Sequence, residues 1–191
     1  PFLKRIDQSQ FLKIHFKKVI TIMTVFIVFS FLTSILFQEY RIAEMKKKTF
    51  QDLDYIAEIL KEQNHESILT VNDKDSRSYL KIIQFEKKWQ EKERNFYSDI
   101  YTIRKNDKNE FVLIADSETD YDFDGIYSGE RETRTEIGEI YDKKIPALVK
   151  AFDEKQPAFD DFVYTDRWGT FISGFYPLLN KAGQFDAVVG V

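Results

Sequence analysis

The sequence predicts an α+β protein: one transmembrane helix followed by a five-stranded antiparallel sheet, with a long N-terminal helix packed on one face. Three observations carry this. Val19 to Phe37 contains no charged side chain. Phe50, Leu53, Ala57 and Leu60 then recur at helical spacing, with Ile56 and Ile59 widening the stripe. The rest of the chain alternates short apolar runs with Asn-, Asp- and Gly-bearing turns, the pattern of hairpins.

Composition narrows the classes. The 191 residues hold 28 Lys and Arg against 32 Asp and Glu, a net charge of -4 that advertises no nucleic-acid surface. With no cysteine, disulfides, thiolate metal sites and Cys nucleophiles are excluded. The 18 Phe and 10 Tyr suit the core and cross-strand packing of a sheet, with a few tyrosines left for a ligand. No P-loop, GxSxG or zinc spacing occurs, and neither His15 nor His65 lies near a serine-bearing motif, so no catalytic residue and no cofactor are expected. A chain that begins at Pro1 and stops at Val191 inside an apolar strand is expected to be a piece of a longer protein.

Residues 1–18 form a basic segment, with Lys4, Arg5, Lys13, Lys17 and Lys18 against Asp7. Residues 19–37 reach roughly 28 Å as a helix, near the thickness of a bilayer's hydrocarbon layer. Their hydroxyls, Thr21, Thr24, Ser30, Thr33 and Ser34, can bond back to helix carbonyls. A signal peptide would have a shorter apolar centre and a small-residue cleavage site. The basic residues before the span favour a cytoplasmic amino terminus and place residues 38–191 outside, although Arg41, Lys46, Lys47 and Lys48 weaken the asymmetry. Helix continues to about Gln63, breaks at Asn64-His65-Glu66, and resumes over roughly Arg77 to Asn95, capped by Asp75 or Ser76, with Ile82, Phe85, Trp89 and Phe96 on one face.

Strands are expected at Ser98 to Arg104, Phe111 to Ala115 and Phe159 to Thr165. A final hairpin joins a strand within Asp166 to Pro177 to Phe185–Val191 through Asn180-Lys181-Ala182-Gly183-Gln184, whose glycine is placed for positive φ. Between them lie an acidic and aromatic segment, Asp116 to Glu139, and a short helix at about Asp142 to Glu154 with Ile145, Leu148, Val149 and Phe152 on one face. The long helix should cover one sheet face and the irregular segment the other, leaving that second face for a ligand.

Tyr164-Thr165-Asp166-Arg167-Trp168-Gly169, then Phe171-Ile172-Ser173-Gly174-Phe175-Tyr176-Pro177-Leu178, Gly183 and Val188-Val189-Gly190-Val191, behind a membrane span and a long helix, resemble the extracytoplasmic Cache family. These are PAS-like (PDC) sensor domains of bacterial transmembrane receptors. The resemblance covers roughly residues 38–191, with its specific part in the last third. It implies a single-module periplasmic domain anchored in the cytoplasmic membrane and dimerising through the long helix. A small ligand would sit between sheet and loop, and a second span would lead to an output module such as a histidine kinase or nucleotide cyclase. The Arg-then-Trp-Tyr motif of amino-acid-sensing members is absent after Arg131 and Arg134, so an amino-acid ligand is not supported.

Candidate ligand contacts are Tyr121, Asp122, Asp124, Tyr127, Tyr164, Asp166, Trp168 and Ser173. Tyrosines and the Trp offer amphipathic walls that double as sheet packing. Trp168 reads as a structural corner ahead of a ligand contact, Tyr127 and Tyr164 read equally as packing or contact, and Asp166 most simply caps its own turn. Asp120-Tyr121-Asp122-Phe123-Asp124-Gly125 reproduces half of a calcium loop. The bidentate Glu is missing, since position 131 is Arg131 and Glu130 falls one residue early. A weak site at Asp120, Asp122, Asp124 and Glu130 would make the chain a membrane-tethered structural or adhesion module instead.

Overall fold

The structure, a computed structural model, describes residues 8–191, with side chains from His15 onward. It divides into two units, Pro1–Met45 and Lys46–Val191. Of the basic segment expected over residues 1–18, the first seven positions lie outside the described residues and the rest is helical. Helix α1 runs Gln8–Glu62 and contributes to both units.

In the first unit α1 carries one stretch long and apolar enough to cross a membrane, and none of that stretch is buried. The hydroxyls do turn back onto the helix: Thr21, Thr24 and Thr33 donate to the carbonyls of Lys17, Ile20 and Ser30 at 3.0, 2.9 and 2.9 Å. Phe26, Phe29 and Phe31 remain more than 60% exposed.

In the second unit α1 ends where Asn64 takes the left-handed conformation (φ 65°), followed by a 3-10 turn at His65–Ser67. A second 3-10 turn, Val71–Asp75, is closed by a Thr70/Asp73 capping box. Helix α2, Arg77–Glu93, starts on Ser76, whose hydroxyl accepts from the Tyr79 amide at 3.2 Å. It stops before Phe96, so the expected fourth member of its apolar stripe is exposed. Tyr97 is buried in its place, with the Phe96 ring against it at 4.6 Å.

Strands β1 (Tyr101–Lys105), β2 (Phe111–Asp116), β3 (Ala158–Phe159), β6 (Gly174–Leu179) and β7 (Phe185–Gly190) form one antiparallel sheet in the order β2-β1-β7-β6-β3. The expected strand over Phe159–Thr165 is broken. Only Ala158–Phe159 joins the sheet, while β4 (Tyr164–Thr165) pairs with β5 (Thr170–Phe171) in a separate two-stranded ribbon. Asp166-Arg167-Trp168-Gly169 is that ribbon's turn, so the strand expected over Asp166 to Pro177 is two strands. Between them, Ser173 leaves the ribbon to meet Asp160, with hydrogen bonds in both directions at 2.9 Å.

Pro177 lies inside β6 and does not end it. Gly174 and Val191 exchange two backbone bonds at 3.1 Å, so the alternating ladder leaves Pro177 and Val188 at a non-bonded pair. The ring nitrogen then faces the side that the two-residue β3 does not reach, where no ladder bond is lost. The β6–β7 turn matches expectation: Gly183 has φ 75°, and the Asn180 side chain accepts from the Ala182 and Gln184 amides at 3.0 and 2.9 Å.

Leu53, Ile56, Ala57 and Leu60 of α1 and Tyr79, Ile82, Ile83 and Trp89 of α2 pack with Val112, Ile114, Ala115, Leu178, Ala187 and Val189, one face of the sheet. The irregular segment after β2 holds a single helical turn, α3 (Gly129–Glu132). Helix α4, Pro146–Glu154, closes the other face, where Leu148, Ala151 and Phe152 join Ile103, Leu113, Phe175 and Val188. It begins at Pro146, four residues later than expected, because proline suits the first helical position, where no amide bond is required. The second face is therefore filled by a core and is not a vacant ligand face.

Candidate ligand-binding site

Antiparallel pairing brings the start of β1, the end of β2 and the end of β7 to one edge, with Tyr101 opposite both Asp116 and Gly190. The Tyr101 ring lies so close over Gly190 that a Cβ there would meet it at 2.8 Å. At this edge the apolar core gives way to polar groups. Tyr164 and Ser173 are hydroxyl to hydroxyl at 2.9 Å, with the Tyr101 and Tyr141 hydroxyls within hydrogen-bond reach of Tyr164. The Tyr141 hydroxyl donates to Asp166 at 3.2 Å, and its ring lies between those of Tyr101 (6.5 Å) and Trp168 (6.0 Å). Burial raises the phenols of Tyr101, Tyr141 and Tyr164, keeping them neutral donors.

The ribbon turn acts as the sequence suggests. Asp166 accepts from the Trp168 and Gly169 amides at 2.9 and 3.2 Å, so its carboxylate caps the turn. Trp168 is a corner: the Arg167 guanidinium covers its ring at 4.1 Å and its carbonyl accepts from Arg131.

Two carboxyls that the sequence did not single out lie beneath the irregular segment. Asp99 accepts from Gln90 and from the Ile100 amide at 2.8 Å each, and from the Tyr121 hydroxyl at 2.9 Å. Burial, with Asp166 adding to it, pushes its carboxyl up to about 7. Asp116 is pushed well above the usual carboxylate range by burial and by Asp99. A third acid, Glu86 on α2, is wholly buried with no hydrogen bond to either oxygen among the described residues, and burial raises it too. Burial favours the neutral form of all three acids, because a carboxylate taken out of water is far costlier than a neutral acid.

Tyr121 and Tyr127 line a cavity of about 540 Å³ between α2 and the irregular segment. Its walls include Lys87, Gln90, Arg94, Tyr97, Glu118 and Phe123. Lys87 stands 4.7 Å over the Tyr127 ring, and Arg131 stands 4.5 Å over that of Tyr121. Glu118 is drawn down to about 2: burial opposes this, but hydrogen bonds from Lys87 and Arg134 outweigh it. The wall residue Tyr97 donates to Asp52 on α1 at 2.7 Å. One hydrogen bond thus joins the cavity to the long helix.

The sequence-selected residues therefore fall into three places. Tyr121 and Tyr127 line the cavity, while Tyr164, Asp166, Trp168 and Ser173 build the polar sheet edge. Asp122 and Asp124 stay exposed on the loop. The carboxylates of Asp120, Asp122 and Asp124 come within 4.8 Å of one another, and Glu130 is not among them. They accept backbone amides of Asp124, Gly125 and Ile126. Glu132, on α3, closes the loop by accepting from the Tyr121 and Ser128 amides. Asp99, Asp116 and Tyr97 escaped sequence reasoning because an acid or tyrosine beside an apolar run reads as a strand end, and Glu86 because an acid inside an amphipathic helix reads as part of its solvated face.

Comparison with protein-family models and with curated proteins finds no match for this chain.

Proposed function

We propose that this chain is the extracytoplasmic, small-ligand-sensing part of a bacterial transmembrane signalling receptor of the Cache type. The apolar stretch of α1 spans the cytoplasmic membrane, the sheet domain lies outside, and the chain dimerises through the long helix. The 540 Å³ cavity holds the ligand, with Tyr121, Tyr127 and Tyr97 as walls and Lys87, Arg94 and Glu118 as polar contacts. Occupancy biases two arrangements of cavity and helix, and the helix carries the bias toward an output module such as a kinase or cyclase. The energy of the signal is the ligand's differential affinity for the two arrangements.

The observation that carries this reading is the bond from Tyr97, a cavity wall, to Asp52 of α1. The test uses the full chain in nanodiscs. Small metabolites are screened by thermal shift, and single cysteines along α1 report cross-linking between copies. A ligand that raises the midpoint should change the cross-linking pattern, and Tyr97→Phe should keep the binding while losing the change. No stabilising metabolite together with an unaltered pattern would sink the sensor role. The acidic loop favours the other reading, an adhesion or structural module, to the extent that its three carboxylates converge. Tight calcium binding, with loss of stability on chelation, would select it.

A further inference from the structure

A second cavity, of about 660 Å³, opens at the β3 edge of the sheet, away from the residues assigned to ligand sensing except Tyr164. Lys46 of α1 and Lys143, Lys144 and Lys150 around the start of α4 line it, together with Phe50, Phe159, Phe162 and Val163. Against these four cations stand two acids, Asp160 and Asp161. Asp160 is turned inward, accepting from the Ser173 amide at 2.9 Å. Asp161 meets Lys46 at 3.7 Å. Lys143 and Lys150 have partners only at 4.0 and 3.9 Å, and Lys144 has no ion pair among the described residues. In a chain whose net charge is -4, this cleft gathers four lysines against two acids, and its ion pairs are long.

We propose that this cleft is an anion site for a phosphate-bearing molecule with an apolar body. Lysines act as strongly hydrated point charges suited to a multiply charged phosphate rather than to a planar carboxylate clamp. The apolar part lies on the aromatic wall, where Phe162 is 83% and Val163 67% exposed. The cavity and the lysines carry the assignment. Ile145, Pro146 and Ala147 at the start of α4 complete the same wall. Because the lysines are partly solvated, salt screens the attraction and binding weakens as ionic strength rises. The site stands independently of the sensing cavity. The phosphate can come from a soluble ester or from a lipid headgroup.

The experiment uses the full chain in phosphatidylcholine nanodiscs, with octyl phosphate and inorganic phosphate as probes read by 31P line broadening. Lysine acetylation, read by mass spectrometry, is compared between phosphatidylcholine and phosphatidylglycerol discs. Octyl phosphate should bind more tightly than inorganic phosphate, and K144Q/K150Q should weaken it about tenfold or more, since two of four focusing charges are removed. The control K108Q/K181Q, on two hairpin turns, should leave it unchanged, and unaltered tryptophan fluorescence checks the fold of each variant. Binding of octyl phosphate supports the proposal with a soluble ester as source. Selective protection of Lys143, Lys144 and Lys150 in phosphatidylglycerol discs supports it with a headgroup as source. Neither result, or equal weakening in the control pair, overturns it.

Discussion

Replacing Asp99 by asparagine separates the effect of its charge from that of its hydrogen bonds. The carboxyl stands at about 7 in the fold against an ordinary 3.8. A folded-state value above the unfolded one means that the native protein binds the proton more tightly. The stability is therefore fully present below about pH 4 and is lost as pH rises through 7. At about 1.36 kcal/mol per pH unit, the gap of roughly three units corresponds to about 4 kcal/mol lost by pH 8 to 9. In Asp99→Asn the new amide keeps one oxygen for the Gln90 and Ile100 donors and faces the Tyr121 hydroxyl with an NH2, which that hydroxyl can accept. Trp89 and Trp168 both lie in the sheet unit, so their fluorescence follows its urea unfolding in micelles from pH 5 to 9. Near pH 5 the variant should already exceed wild type by about 1–2 kcal/mol, because the unfolded carboxyl is ionised there and the folded one is not. The increment should reach about 4 kcal/mol near pH 7 and level off above it, where both folded and unfolded Asp99 are ionised. A residual slope in both proteins belongs to Asp116 and Glu86. Parallel curves, or a variant weaker than wild type at pH 9, would refute the assignment of Asp99 as a buried, protonated acid.

Three further perturbations follow from the geometry. Gly174→Ala would set a Cβ 2.5 Å from the Thr49 methyl and should cost about 1–3 kcal/mol as overpacking. Adding Thr49→Ser removes that methyl and should recover most of the urea midpoint; no recovery would locate the fault elsewhere. Asp186→Ala strands the buried His65, which Asp186 meets at 2.6 Å, and Arg104 at 2.8 Å, so chemical denaturation should show a loss of about 3 kcal/mol. Tyr164→Phe deletes the bond to Ser173 at a cost of about 1 kcal/mol, seen as a lower thermal midpoint with unchanged near-UV dichroism.

Local chemistry was legible in the sequence wherever a short segment decides its own shape. The Ser76 cap, the Asn180–Gln184 turn and the Asp166 cap each satisfy backbone groups within four residues, so residue type and spacing suffice. The stripe of Leu53, Ile56, Ala57 and Leu60 likewise announced a buried helix face. What failed depended on partners far along the chain. Phe159 to Thr165 reads as one strand because it is apolar and aromatic, yet Asp160 leaves the sheet to meet Ser173, and no period reveals that. His65 looked isolated in a helix break, but Thr102 lies 2.9 Å from its Nε2 and Asp186 closes on its Nδ1. Burial lowers the imidazole, and the Asp186 carboxylate only partly restores it, so it stays neutral. For the site, the suspected Tyr121 and Tyr127 line a cavity, whereas the buried acids beside it were invisible, since burial and not composition makes Asp99 unusual.

Gly174 also says something about movement. There the flank of α1 rests on β6 with only a hydrogen on the strand side, and Leu53 and Phe159 would each stand 3.3 Å from any added carbon. Turning the helix by one residue, about 100° about its axis, would swing Lys48 or Phe50 onto a spot that barely admits threonine. Sliding it by a full turn would drive other bulky side chains across the same bare backbone. The bare backbone at Gly174 thus acts as a key: it fixes which face of the helix can lie on the sheet and at what height along the strand.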